Sequence, residues 1–266
     1  MSPRSIRIKF PLVVVTSCLL GVIPSVGAEQ SANAKGPSNA SSKQANLPPG
    51  VTDCSTETPP GDSDPPDLND EARKLQESGT NKFWNGLRNR SKTEVEAGAD
   101  DLEKGLKIDP RMPGAYSNLA TCYLLLKRDP QITLSMLTDG LTHNPKSSSI
   151  QMALGNTLSQ LGKPKEAISH FLTALDLGAP CKDSAYLNIG NAYLAQRNWS
   201  SAIANYQKAL DINPGLLKAQ KNLAMAHYHA GDRSKAKTAA NRLLEMDPDG
   251  QFGAWARGAL RQLDRP

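Results

Sequence analysis

The sequence predicts an all-α protein, a solenoid of about five stacked helix hairpins closed by a C-terminal capping helix. Three observations carry this reading. Prolines fall at Pro110, Pro145, Pro180, Pro214 and Pro248, in steps of 35, 35, 34 and 34 residues. In phase with them run a small register (Gly105, Gly140, Ala174, Ala209, then Leu243), a bulky one (Leu102, Leu137, Phe171, Tyr206, then Ala240) and a second small one (Ala120, Gly155, Gly190, Ala224). Within one period, Tyr186, Ile189, Gly190 and Tyr193 fall at i, i+3, i+4 and i+7, one face of a helix.

The elements follow in chain order. Arg4, Arg7 and Lys9 precede an apolar run that ends in Val26-Gly27-Ala28, so residues 1–28 read as an export signal cut after Ala28. Pro11 and Pro24 leave the run short of the roughly 20 residues a spanning helix needs. The alternative is lipidation at Cys18, because Val15-Thr16-Ser17-Cys18 resembles a bacterial lipobox; Leu19 to Ile23, still apolar past that cysteine, argue against it. Both signals are of bacterial type. The expected location is the periplasm or the medium, with membrane contact only if Cys18 is lipidated.

Residues 29–68 hold seven prolines, six serines and no aromatic residue, with two lysines against six acids. Such a stretch buries too little apolar surface to offset the entropy of ordering it, and a disordered spacer is expected. Of the three cysteines beyond the signal, Cys122 lies in an apolar helical segment and reads as a buried thiol. Cys54 and Cys181 lie in loop-like sequence, where they either pair or stay apart.

Five hairpins are expected over 69–250, at 72–112, 113–147, 148–182, 183–216 and 217–250. In the fourth, the turn at Arg197-Asn198 leads to an inner face of Ala202, Tyr206, Ala209 and Leu210, and Asn213-Pro214 ends it because proline disfavours helix in the residue before it. A hairpin whose apolar face only its neighbour can cover must stack. In the first hairpin about seven extra residues follow Gly86, so either its second helix is shifted or its turn enlarged. Phe252, Trp255, Ala256, Ala259, Leu260 and Leu263 form one face of a final helix over 251–266, the expected cap.

The segment Tyr186-Leu-Asn-Ile-Gly-Asn-Ala-Tyr193, with Ala202, Tyr206, Ala209 and Pro214, resembles the tetratricopeptide repeat consensus. The likeness covers some 180 residues and is strong in the last four repeats. It implies a right-handed superhelical solenoid in which the first helix of each hairpin lines a concave groove that binds protein segments.

Composition narrows the function classes. With 38% hydrophobic and 21% charged residues, and one apolar run long enough to consider, a transmembrane bundle is excluded. Residues 69–266 carry 26 bases against 20 acids, a mild excess that gives no reason to expect nucleic acid. The four histidines lack i, i+4 pairing, no Cys-x-x-Cys occurs, and no phosphate-cradling loop or nucleophile elbow is present. Neither enzymatic activity nor a cofactor or metal is expected.

The candidate site is the groove face of the first helices. One row reads Asn118, Ala153, Asn188 and Asn222; three residues on, a second reads Thr121, Asn156, Asn191 and Met225. Residues at i and i+3 share a helix face, and amides both donate to and accept from a peptide backbone. The rows resemble the asparagine ladder of the glycosyltransferase that adds N-acetylglucosamine to proteins. Either they grip a peptide, or they brace neighbouring helices. The two-carboxylate clamp of heat-shock co-chaperones is absent at Gln76, Thr80, Ser149 and Ala153, although Asn191, Lys218 and Asn222 offer part of one. The expected peptide-binding set is therefore Asn118, Thr121, Asn156, Asn188, Asn191, Lys218 and Asn222. The other reading is a part of a cell-envelope assembly that engages its neighbours through the convex face and the C-terminal helix.

Overall fold

The computed structural model describes residues 58–264, among which there are α-helices and one 3-10 turn but no strand. The export signal, Cys18, Cys54 and the spacer up to residue 57 lie outside them. The hairpins are α1 (Asp70–Asn89) with α2 (Lys92–Ile108), α3 (Pro113–Leu125) with α4 (Pro130–His143), α5 (Ser148–Gln160) with α6 (Pro164–Asp176), α7 (Lys182–Ala195) with α8 (Trp199–Ile212) and α9 (Leu217–His229) with α10 (Arg233–Met246). α11 (Gln251–Leu263) packs on α10 and α9 as the terminal helix. The fold is an all-α superhelical solenoid of the tetratricopeptide repeat type.

Local chemistry sets the helix ends. Asn69, Ser91, Asp129, Ser147, Asn198 and Asp232 each accept a backbone N–H of the first helical turn through the side chain, meeting donors that the helix itself leaves unsatisfied. Pro113, Pro130 and Pro164 occupy first positions, where a missing N–H costs nothing. Each hairpin turns over one left-handed residue: Arg90, Lys127, Gly162, Arg197 and Gly231.

Small registers meet bulky ones inside the hairpins. A Cβ on Gly155 would stand 2.5 Å from the Phe171 ring, and one on Gly190 2.5 Å from that of Tyr206. Gly79 and Gly98 cross backbone to backbone in the first hairpin. The core is a chain of clusters that each bridge neighbouring hairpins, from Phe83, Leu102 and Leu119 through Leu137, Ile150 and Leu154 to Tyr206 and Leu223. Among the described residues the odd-numbered helices touch one another from hairpin to hairpin, whereas the even-numbered ones do not. The odd helices therefore form the inner, concave row.

Two features go beyond the sequence expectation. Of the two alternatives for the first hairpin, a shifted second helix or an enlarged turn, the turn is not enlarged: the extra residues lengthen α1 and α2, which reverse over Arg90 and Ser91 alone. The reason is that Asn69 and Ser91 cap the longer helices at their natural starts. The second feature is the stretch ahead of α1, expected to be spacer through residue 68. From Thr58 onward it lies on the solenoid, with Pro59, Asp62 and Leu68 buried.

Candidate peptide-binding groove

The polar rows lie on the inner helices, and their side chains reach from one repeat to the next. Asn118 is 6% exposed and donates from Nδ2 to Thr80 Oγ1 of the previous repeat at 3.2 Å. The Thr121 hydroxyl, also buried, turns back onto the Ser117 carbonyl at 3.0 Å. Asn188, 1% exposed, donates to Asn156 Oδ1 at 3.0 Å, while its own Oδ1 is buried without a partner. Asn222 donates to Asn191 Oδ1 at 2.7 Å, and the same oxygen accepts the Tyr206 hydroxyl at 2.8 Å. Burial pushes the Tyr206 phenol far above its usual range, so it stays a donor.

Asparagine thus bridges consecutive inner helices three times. Asn118 and Asn188 are spent in these bridges. Asn156, Asn191, Asn222 and Lys218 are half-buried and keep surface toward the groove. Neither Asn191 Nδ2 nor Asn222 Oδ1 has a hydrogen-bond partner among the described residues. This leaves one donor and one acceptor side by side, the pair that a peptide unit of an extended chain requires.

Beyond Asn222 a small apolar cleft lies between α9, α10 and α11, lined by Met225, Tyr228, Ala240, Trp255, Ala259 and Leu263. Its rim carries Lys221, whose Nζ lies 5.6 Å from the Trp255 ring centroid. Partial burial there lowers the pKa of the ammonium. Met225 is the fourth member of the row of Asn156 and Asn191, and Ala259, 34 residues on, falls in the same register.

The bases of the last repeat have separate duties. Arg233 donates to the Leu263 carbonyl and Lys237 pairs with Asp264, clipping down the end of α11, while Lys235 and Arg242 pair locally with Asp232 and Glu245. Lys218 and Lys221 take no part in these pairs and lie on α9 beside Asn222. Among the described residues no cluster of histidine, cysteine and acid could hold a metal, and no helix is long and apolar enough to cross a membrane.

Cys122 is a free, buried thiol whose pKa burial pushes up to about 12, so it is unreactive at neutral pH. Cys181 is disulfide-bonded. Because Cys122 is free, the partner of Cys181 lies outside the described residues.

With this geometry in place, comparison with known proteins defines the class. Residues 146–214 and 193–260 each match a model of the tetratricopeptide repeat, and the chain carries such repeats. Among curated proteins it is similar to Sperm-associated antigen 1 of Mus musculus, 28% identical over 137 residues, which are 51% of this chain and 15% of that protein. It is also similar to the Hsp70-Hsp90 organizing protein of Triticum aestivum, 31% identical over 99 residues, or 37% of this chain and 17% of that protein. The matched region is thus a small part of either relative. Among solved structures, PilW, a type IV pilus biogenesis factor, superposes with a TM-score of 0.62 at 22% identity, covering 73% of this chain and 91% of its own. That likeness is one of fold.

Proposed function

We propose that this chain is a non-catalytic interaction scaffold whose concave groove, over the third to fifth repeats, binds an extended segment of a partner protein. The observation that carries the reading is the open donor and acceptor of Asn191 and Asn222, set beside Lys218 and the cleft of Met225 and Trp255. A segment laid there gains backbone hydrogen bonds from the asparagines, an apolar contact at the mouth of the cleft, and attraction for acidic flanks from Lys218 and Lys221. Names among the similar proteins, an organizing protein and a pilus biogenesis factor, suit a scaffold. Export, with cleavage after Ala28, belongs to the same proposal; the disulfide at Cys181 supports it, since such bonds persist in oxidising compartments.

The test is photocrosslinking in the producing cell, with a photoreactive residue at Met225 on the groove or at Ile132, which is 54% exposed on α4 of the outer row. The expected result is a defined partner captured from position 225, lost when Asn191→Ala and Asn222→Ala are combined, and absent from position 132. The reverse pattern would replace the groove with the convex face.

A further inference from the structure

The inner helix row already has an occupant at its N-terminal end, the acidic stretch that precedes α1. The 3-10 turn Pro60–Asp62 touches α3 and α5. Asp62, 4% exposed, directs its carboxylate into the start of α5 and accepts the hydroxyls of Ser147, Ser148 and Ser149, the last at 2.8 Å, together with the Ser149 N–H at 3.1 Å. Asp64 accepts from Gln76 Nε2 of α1 at 3.0 Å. Asp67 accepts from Arg111 Nη1 at 3.0 and 3.1 Å. Gly61 lies so close to the loop before α5 that a Cβ would stand 1.9 Å from the Lys146 carbonyl oxygen.

These contacts have a direction. Arg111 and Lys146 occupy equivalent inter-repeat loops, 35 residues apart, and going back along the stretch from Asp67 to Gly61 moves from one loop to the next. The next loop in this register, another 35 residues on, holds Cys181. Seven residues back from Gly61 stands Cys54. Seven residues span at most about 25 Å, against the roughly 10 Å that separates packed helices. Cys181 is disulfide-bonded and Cys122 is free and buried.

We infer that Cys54 is the disulfide partner of Cys181, and that this bond fastens down residues 58–68, an acidic, proline-rich strap supplied by the chain itself and seated against α1, α3 and α5. The bond joins the two Sγ atoms with loss of two protons and two electrons, which a small-molecule disulfide accepts by thiol–disulfide exchange. The strap ties the loop at Arg111 to the loop at Lys146 and the start of α5. This assignment does not depend on what binds at Asn191 and Asn222.

The experiment is peptide mapping of the full chain without reductant, paired with hydrogen exchange. The expected result is a peptide linking Cys54 to Cys181 that separates on treatment with dithiothreitol. In Cys181→Ser, amide exchange over residues 60–68 and at Ser149 is expected to rise at least tenfold, with α9 to α11 unchanged. A free thiol at Cys54, or a link from Cys181 to Cys18 or to a second molecule, overturns the assignment. An intact Cys54–Cys181 link whose removal leaves exchange over 60–68 unaltered overturns the strap.

Discussion

At the scale of single residues, each asparagine of the rows carries one bond that holds the solenoid together, and some carry a second valence that faces the groove. Asn188 is nearly inaccessible and its amide is committed to Asn156. Asn188→Ala is therefore expected to lower stability by about 1–2 kcal/mol, the usual range for removing one partner of a buried hydrogen bond. Denaturant unfolding checks this, and an unchanged midpoint would show that the bridge contributes nothing. Gly190→Ala is expected to cost about 1–3 kcal/mol, because the added methyl meets the Tyr206 ring at 2.5 Å and the core has no room to yield. The glycine is legible in the sequence, since its register repeats in phase with the aromatic one. The bridges are not: whether residues 31 or 32 positions apart bond to each other depends on the superhelical angle between repeats, which no local pattern encodes.

At the scale of elements, the hairpin turns show how a structural register hides from sequence. The positions of Arg90, Lys127, Gly162, Arg197 and Gly231 share one backbone conformation with φ near +54 to +85°, yet only two are glycine. The turn tolerates side chains because they point into open space, so residue identity drifts while geometry holds. At Gly162 and Gly231 an added Cβ would meet nothing within 4 Å, which isolates the backbone cost. Alanine at either is expected to lose about 1–2 kcal/mol from left-handed strain alone. Alanine at Gly258, helical and equally open, is expected to gain about 0.5–1 kcal/mol. Thermal melts of the three variants check the contrast, and a loss at all three would place the cost in side-chain crowding instead. The same tolerance explains the first hairpin, whose longer helices close over an arginine turn.

At the scale of the whole molecule, a solenoid is held by neighbours, and the stretch from Pro59 to Leu68 is the part that ties distant loops together. Its composition excludes a core of its own and so reads as spacer, but a segment with carboxylates at the right intervals can borrow the surface of the repeats instead. Its anchor near α1 is sensitive to acid. Hydrogen bonds from Arg111, aided by its charge, hold the Asp109 carboxyl at about 2, below the ordinary 3.8, and the same guanidinium grips Asp67 of the strap. A carboxyl whose folded pKa is depressed contributes stability that is complete above the unfolded value, near 4, and is lost as pH falls toward 2. Between pH 5 and 2 the wild-type chain should therefore lose stability more steeply than Asp109→Asn, and hydrogen exchange should rise first over α1, the strap and the loop at Arg111, ahead of α7 to α11. Denaturation midpoints at pH 5, 4, 3 and 2 for both proteins check the slope. Parallel slopes would mean that the pair is screened by solvent and that acid opens the solenoid elsewhere; a steeper wild-type slope with exchange beginning at α1 places the acid-labile joint where the strap meets the first inter-repeat loop.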